Sequence, residues 1–296
     1  GARAGGHLTL NGNPEATSEN PYLREGLQRM WSGGGPIELT ATSRIPRSAG
    51  LGSSAAFSSG LTALFGALTG GISRRGLAER AFEIERAAQG VGSPGDSSAS
   101  AAGGYLALNA GSADLWTISE GDRSWAVRRV RDPGWLWVVA YSGVPRNTAE
   151  TVRAVGRRLA EPDGRDLLER FRSVALSGIG ALEAEDREEV GRRMNENQGL
   201  LRTVGVSHPR LEALLEAAQP ACYGGKLTGA GAGGSIVALP IPGREAELVR
   251  RIARAGGVPF AVRVAPRGAA IVEAPALARG SHGSLAGDDA DDRPVR

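Results

Sequence analysis

Lysine is almost missing from this chain. Of 35 basic residues among 296, only Lys226 is lysine and the other 34 are arginine, so chemistry needing an amine uses Lys226 or does without. Cysteine is as scarce. The single Cys222 excludes an internal disulfide and a cysteine-built zinc site, and a reducing, cytoplasmic setting fits. His7, His208 and His282 lie far apart in sequence, without metal-ligand spacing. Long apolar runs are absent too. The longest, Trp135 to Tyr141, has seven residues, against the ~20 a membrane-spanning helix needs. No charged-then-apolar leader pattern follows Gly1, so nothing indicates export. A net charge of +3 is too balanced to argue for a nucleic-acid or membrane partner.

What is plentiful is glycine, 44 residues of it, in a chain that is 41% apolar. The length supports a sizeable core split over two domains. Gly1 to Pro36 is Gly- and polar-rich, with one helical piece around Tyr22 to Trp31. A strand is expected at Ile37 to Thr42. Helices are expected at Ser54 to Leu68, stopped by Gly70 and Gly71, and at Arg75 to Gln89. A Gly/Ser-rich loop, 90–104, follows, and Tyr105 to Asn109 and Leu136 to Tyr141 read as strands. Beyond Thr148 come Arg/Glu-studded helices at Thr148 to Leu159, Asp166 to Glu183, Arg187 to Asn195 and Pro209 to Ala217. The run CYGGKLTGAGAGGSIVAL reads as strand, Gly-rich loop, strand. A helix at Glu245 to Ala255 and strands at Phe260 to Val264 and Ala269 to Val272 complete an α+β second half. From Gly280 the chain has four aspartates and no apolar periodicity, which reads as a disordered tail.

Three segments bear on chemistry. In PRSAGLGSSAA, from Pro46 to Ala56, Gly50 and Gly52 let the backbone turn sharply, and Ser53 and Ser54 stand where a helix begins. Unpaired N–H groups and the positive end of the helix dipole make an anion site there, with two hydroxyls beside it for phosphate or magnesium. An ordinary loop with a Ser cap has the same composition, and the segment is neither a Walker A sequence nor a dinucleotide fingerprint. In the second segment, Glu85 lies near a helix end and Asp96 sits in a Gly/Pro-rigidified loop eleven residues on. Such an Asp can accept a hydroxyl proton and such a Glu can ligate magnesium, although a turn-forming Asp and a solvated helix Glu read equally well. The third, KLTGAGAGG from Lys226 to Gly234, implies a backbone wrapped on a ligand or a flexible hairpin.

Taken in order, PxxxGLGSSAA, the Glu-bearing helix, GSPGDSSAS and KLTGAGAGG resemble the GHMP kinase superfamily. Within it the chain is most similar to the mevalonate kinases, archaeal type. GSPGD at Gly92 to Asp96, MNENQGLL at Met194 to Leu201 and VPRNT at Val144 to Thr148 carry that narrower likeness, and KLTGAGAGG departs from the family's KLTGAGGGG by one Ala. The resemblance covers about Ile37 to Val272. It implies a GHMP kinase fold, with an N-terminal domain like ribosomal protein S5 domain 2 over 1–142 and a ferredoxin-like C-terminal domain over 143–279, ahead of the tail at 280–296. The implied activity is ATP-dependent phosphorylation of the C5 hydroxyl of (R)-mevalonate. Pro46, Ala49, Gly50, Leu51, Gly52, Ser53, Ser54 and Ala55 would bind ATP, Ser54 and Glu85 would ligate Mg2+, and Asp96 would be catalytic. Arg146, Thr148, Thr228, Gly229, Ala230 and Gly231 would lie near substrate. The implied partners are mevalonate and ATP, with no nucleic acid and no membrane, and with room for a homodimer.

The family's first motif, PGKxxLFGEHxVxxG, which supplies a lysine beside the catalytic Asp, is absent. With no Met at its start, the chain is expected to begin past the family's opening strands and to be impaired as written. Phosphomevalonate kinase, a mevalonate 3-kinase, the related decarboxylase and a non-catalytic GHMP-fold nucleotide-binding protein are the alternatives. VPRNT and NQGLL weigh against the decarboxylase.

Overall fold

A computed structural model describes residues 6–10, 12–16, 19–31, 35–46, 48–145 and 148–272. The tail expected at 280–296 lies outside them. The chain divides into two units: Gly1–Arg44, Ser54–Arg129 and Ala265–Arg296 make one, and Ile45–Ser53 with Val130–Val264 make the other.

In the first unit, β1 (Gly6–Leu10) pairs antiparallel with β2 (Asn13–Ala16) and parallel with β3 (Ile37–Ala41). The sequence reading has no β1 or β2, because four glycines and polar neighbours mask a four-residue alternation. Between them and β3 runs α1 (Pro21–Met30), where the Asn20 carboxamide accepts the Leu23 N–H and Pro21 takes a position that needs no donor. Helices α2 (Ser53–Leu68), α3 (Arg74–Gln89) and α4 (Gly95–Ala102) follow. Ser73 caps α3, and Gly90 ends it at φ 76°. Leu8, Leu23, Leu27, Leu39, Leu61 and Phe65 form one apolar cluster, and each such side chain contributes about 2 kcal/mol on leaving water. A second sheet, β4 (Tyr105–Leu108), β5 (Trp116–Glu120) and β6 (Arg123–Val130), is ordered β4-β6-β5. Its Trp116, Ile118 and Val127 pack with Leu77, Ala78 and Phe82 of α3.

Two expectations fail in this unit. The loop at 90–104 contains α4, which the small residues Ser97 to Ala102 permit once Pro94 sets its start. The strand expected at Ala269 to Val272 does not form. That segment spends its hydrogen bonds on the end of α4 instead: the Ala269 N–H donates to the Ser100 carbonyl at 2.7 Å, and Arg74 Nη1 bridges the Ala101 and Ala269 carbonyls. Carbonyls that the helix leaves unpaired are satisfied there.

The second unit starts with β7 (Leu136–Tyr141), then α5 (Thr148–Leu159), α6 (Gly164–Glu183), α7 (Arg187–Thr203) and α8 (Pro209–Ala218). Next come β8 (Cys222–Thr228), β9 (Ser235–Pro240), α9 (Glu245–Arg254) and β10 (Val258–Arg263). The sheet order is β10-β7-β9-β8, antiparallel throughout, so the trace is the βαββαβ of a ferredoxin-like domain. Alternation puts Val138, Ala140, Leu227, Ile236 and Ala238 against Leu211, Leu214, Leu248 and Ile252 of α8 and α9. Helix α7 runs eight residues past its expected end at Asn195. Among the described residues, no helix is long and apolar enough to cross a membrane.

Candidate active site

Within the first unit, α2 and α3 bring the expected oxygen ligands together. Ser54, in the first turn of α2, donates from Oγ to Glu85 Oε1 on α3 at 2.7 Å, across 31 residues of sequence. Glu85 is buried rather than solvated, with 9% of its surface exposed. Burial pushes its carboxyl up to about 7; the Ser54 hydrogen bond opposes the rise and the Asp96 charge adds to it. Asp96 is close enough for that effect, but it is not at a loop tip. It lies in the first turn of α4, where the helix dipole favours a carboxylate, and it is exposed. The loop reading came from Gly92, Pro94 and Gly95, which lead into the helix rather than prevent it.

Tyr22 joins this group and was not foreseen. Its phenol has a raised pKa, first by burial and then by the Glu85 carboxylate, with Gln89 and Ser54 opposing the rise. The sequence signal was thin. Tyr22 follows a Pro at a helix start, and nothing in its spacing points to a residue of α2.

Ser54 and Glu85 offer only hard oxygen donors, which suit Mg2+. Among the described residues, no group of three or more His, Cys, Asp or Glu is placed to hold a metal. One hydroxyl and one carboxylate match a cation that takes its remaining ligands from water and phosphate.

In the second unit, Pro46 and Ala49 to Ser53 form a loop that runs straight into α2 at Ser53. Gly50 (φ 76°) and Gly52 (φ 67°) take left-handed backbone that a side chain resists. Leu51 is half-buried, and Ala49 and Ala55 are buried. The Ala49 carbonyl accepts from Ser235 Oγ at 2.7 Å, which fixes this loop to the start of β9. One residue earlier, the Gly234 carbonyl accepts from Ser142 Oγ at 2.7 Å. Sequence elements 186 residues apart thus meet at one end of the sheet.

Thr228 ends β8, and Gly229, Ala230 and Gly231 begin the connection to β9. Gly231 (φ 85°) is obligatory: an added Cβ would run into the Val206 carbonyl oxygen. Ala232, which stands where the related pattern has Gly, takes φ 59°, and its N–H donates to that carbonyl at 2.7 Å. Gly234 N–H donates to the Val144 carbonyl at 2.9 Å, so VPRNT begins beside this loop. Thr148 opens α5 and is half-buried, whereas Arg146 lies outside the described residues. Lys226 sits on β8 and donates to the Leu227 carbonyl at 2.9 Å, and burial pushes its pKa down to about 8. Cys222 is buried, with its thiol pushed up to about 11, in keeping with a packing residue.

Residues 22–104 match the family described as GHMP kinases N terminal domain, and 179–258 match GHMP kinases C terminal. A mevalonate kinase of Pyrococcus horikoshii is 35% identical over 249 residues, 80% of this chain and 69% of that protein. A mevalonate kinase of Thermococcus onnurineus is 33% identical over 268 residues, 85% of this chain and 75% of that protein. In three dimensions the chain is similar to the mevalonate kinase of Methanococcus jannaschii, with a TM-score of 0.68 and 22% identity over 88% of this chain and 84% of that one.

Proposed function

The chain belongs to the mevalonate kinase family of the GHMP kinases, and from that premise we propose that it moves the γ-phosphoryl group of ATP to the C5 hydroxyl of (R)-mevalonate, yielding 5-phosphomevalonate and ADP. The observation that carries the reading is the Ser54–Glu85 pair at the start of α2, with the Asp96 charge acting on it.

The roles follow from the chemistry of the groups. Pro46, Ala49 to Ser53, Ser54 and Ala55 bind the ATP phosphates, because the first turn of α2 presents N–H groups without intrahelical partners to a negative ligand. Ser54 and Glu85 would hold Mg2+, which would supply charge neutralisation during phosphoryl transfer. Asp96 orients the C5 hydroxyl and takes its proton as the oxygen forms its bond to the γ-phosphorus and the bond to the β–γ bridging oxygen breaks. The family resemblance gives Gly229 to Gly234 a role toward phosphate and substrate, and Thr228, Arg146 and Thr148 a role toward mevalonate. Positioning and charge account for most of such a rate, so few reacting side chains are needed. The N-terminal ATP-binding domain over 1–142, the C-terminal domain over 143–279 and a cytoplasmic setting belong to the same reading.

A coupled ADP-release assay with (R)-mevalonate, galactose, homoserine and phosphomevalonate tests it. ADP release that depends on mevalonate supports the reading. Release confined to another acceptor overturns the substrate, and nucleotide binding without release from any acceptor overturns the activity.

A further inference from the structure

Strand β8 is the outer strand of its sheet, and among the described residues no strand covers its free edge. Helix α7 does so with side chains. Asn195 Oδ1 accepts from the Gly225 N–H at 3.0 Å, and Gln198 Oε1 accepts from the Leu227 N–H at 2.9 Å. These amides are two residues apart, as the N–H groups on one edge of a strand must be. The polar run MNENQ is therefore not a solvated helix face. It stands in for the missing neighbour strand.

Gln198 does more than cap the edge. It is buried, with 2% of its surface exposed, and its Nε2 donates to Ser207 Oγ at 3.0 Å and to Glu212 Oε1 at 2.8 Å. The orientation of its carboxamide is set by chemistry: reversed, it would turn NH2 toward the Leu227 N–H and oxygen toward a carboxylate. Ser207 also donates to Glu212, whose carboxyl is held below its ordinary pKa, first by Arg202. The residue before Ser207 is Val206, whose carbonyl takes the Ala232 N–H and leaves no room for a Cβ on Gly231. One side chain thus grips the Gly-rich loop from both ends, directly at Leu227 and through Ser207 and Val206 at Ala232.

We propose that Gln198 is a positioning residue that presets the loop 229–234 for its ligand. Only a carboxamide serves, since the site needs one acceptor toward Leu227 and donors toward both Ser207 and Glu212. The loop's ligand rests on the function proposed above; the grip does not.

The test uses the full chain and two readouts. Amide hydrogen exchange at Leu227, Ala232 and Gly234 is compared with that at Val138 and Ala140 of β7, and mevalonate-dependent ADP release is measured in parallel. Gln198→Glu keeps the shape but loses both donors and sets two carboxylates face to face. It is expected to speed exchange at the loop about tenfold beyond any change in β7, the loss of one buried bond to a charged group, and to lower kcat by a similar factor. Ser207→Ala, a milder change, is expected to speed exchange at Ala232 while sparing Leu227. The double variant Gln198→Glu with Glu212→Gln restores donor opposite acceptor and is expected to return loop exchange to within about threefold of the parent. Equal acceleration in loop and β7, or no rescue by the double variant, overturns the proposal. Loop loosening in a chain that releases no ADP leaves the positioning role intact and sinks the functional reading. Unchanged loop exchange in an active enzyme does the reverse.

Discussion

Replacing the lone lysine should make the protein more stable at neutral pH. Lys226 lies on β8 opposite Val237, mostly out of water, and its ammonium donates to the neutral Leu227 carbonyl. Burial alone lowers its pKa from 10.5 to about 8. In the unfolded chain the amine keeps its ordinary value, so between pH 8 and 10.5 the unfolded state binds more protons and stability rises with pH. At pH 7 the folded ammonium costs about 3 kcal/mol, the free energy of that shift and a ceiling given its partial exposure. Lys226→Met removes this cost and fills the same apolar volume. It leaves the Leu227 carbonyl without its donor, a loss of about 1 kcal/mol. The variant should then be about 2 kcal/mol more stable at pH 7, and its advantage should shrink to zero or below by pH 10. Urea unfolding of both proteins across that range, followed by circular dichroism, reads the difference directly. A variant less stable at pH 7, or a gap that does not change with pH, would refute the reasoning.

Other consequences concern the loops and the cation site. Gly231→Ala should cost more than about 2 kcal/mol, because its Cβ meets the Val206 carbonyl, while Gly243→Ala, at φ 83° with nothing within 4 Å, should cost only about 1 kcal/mol; denaturant midpoints compare the two. Ser235→Ala frees the Ala49 carbonyl and should raise the KM for ATP several-fold to tenfold with little change in kcat, measured by steady-state kinetics. Glu85→Gln keeps an acceptor for Ser54 but removes the charge that would hold magnesium, so turnover at saturating substrates should fall by at least about 100-fold and not recover with added Mg2+.

Helices with one apolar stripe, such as α3 and α9, are readable to within a residue or two, since periodicity is a local property. Helix α7 was cut short at Asn195 because its stripe is interrupted by Asn195 and Gln198, which face a strand edge and serve pairing rather than burial. Hairpin β5–β6 does carry a local signal, since Trp116, Ile118 and Val127 alternate around the turn at Gly121 and Asp122. The site divides in the same way. Glu85 and Ser54 came through resemblance, because no local pattern tells a buried helix Glu from a solvated one. Tyr22 could not be found, since its role depends on α1 lying beside α2.

Asp96→Ala tests the central claim most directly, with mevalonate-dependent ADP release and nucleotide binding measured on the same preparation. The account predicts turnover lower by two to three orders of magnitude, roughly the contribution of a positioned base, with nucleotide affinity unchanged within about twofold. Parental turnover in that variant would contradict it.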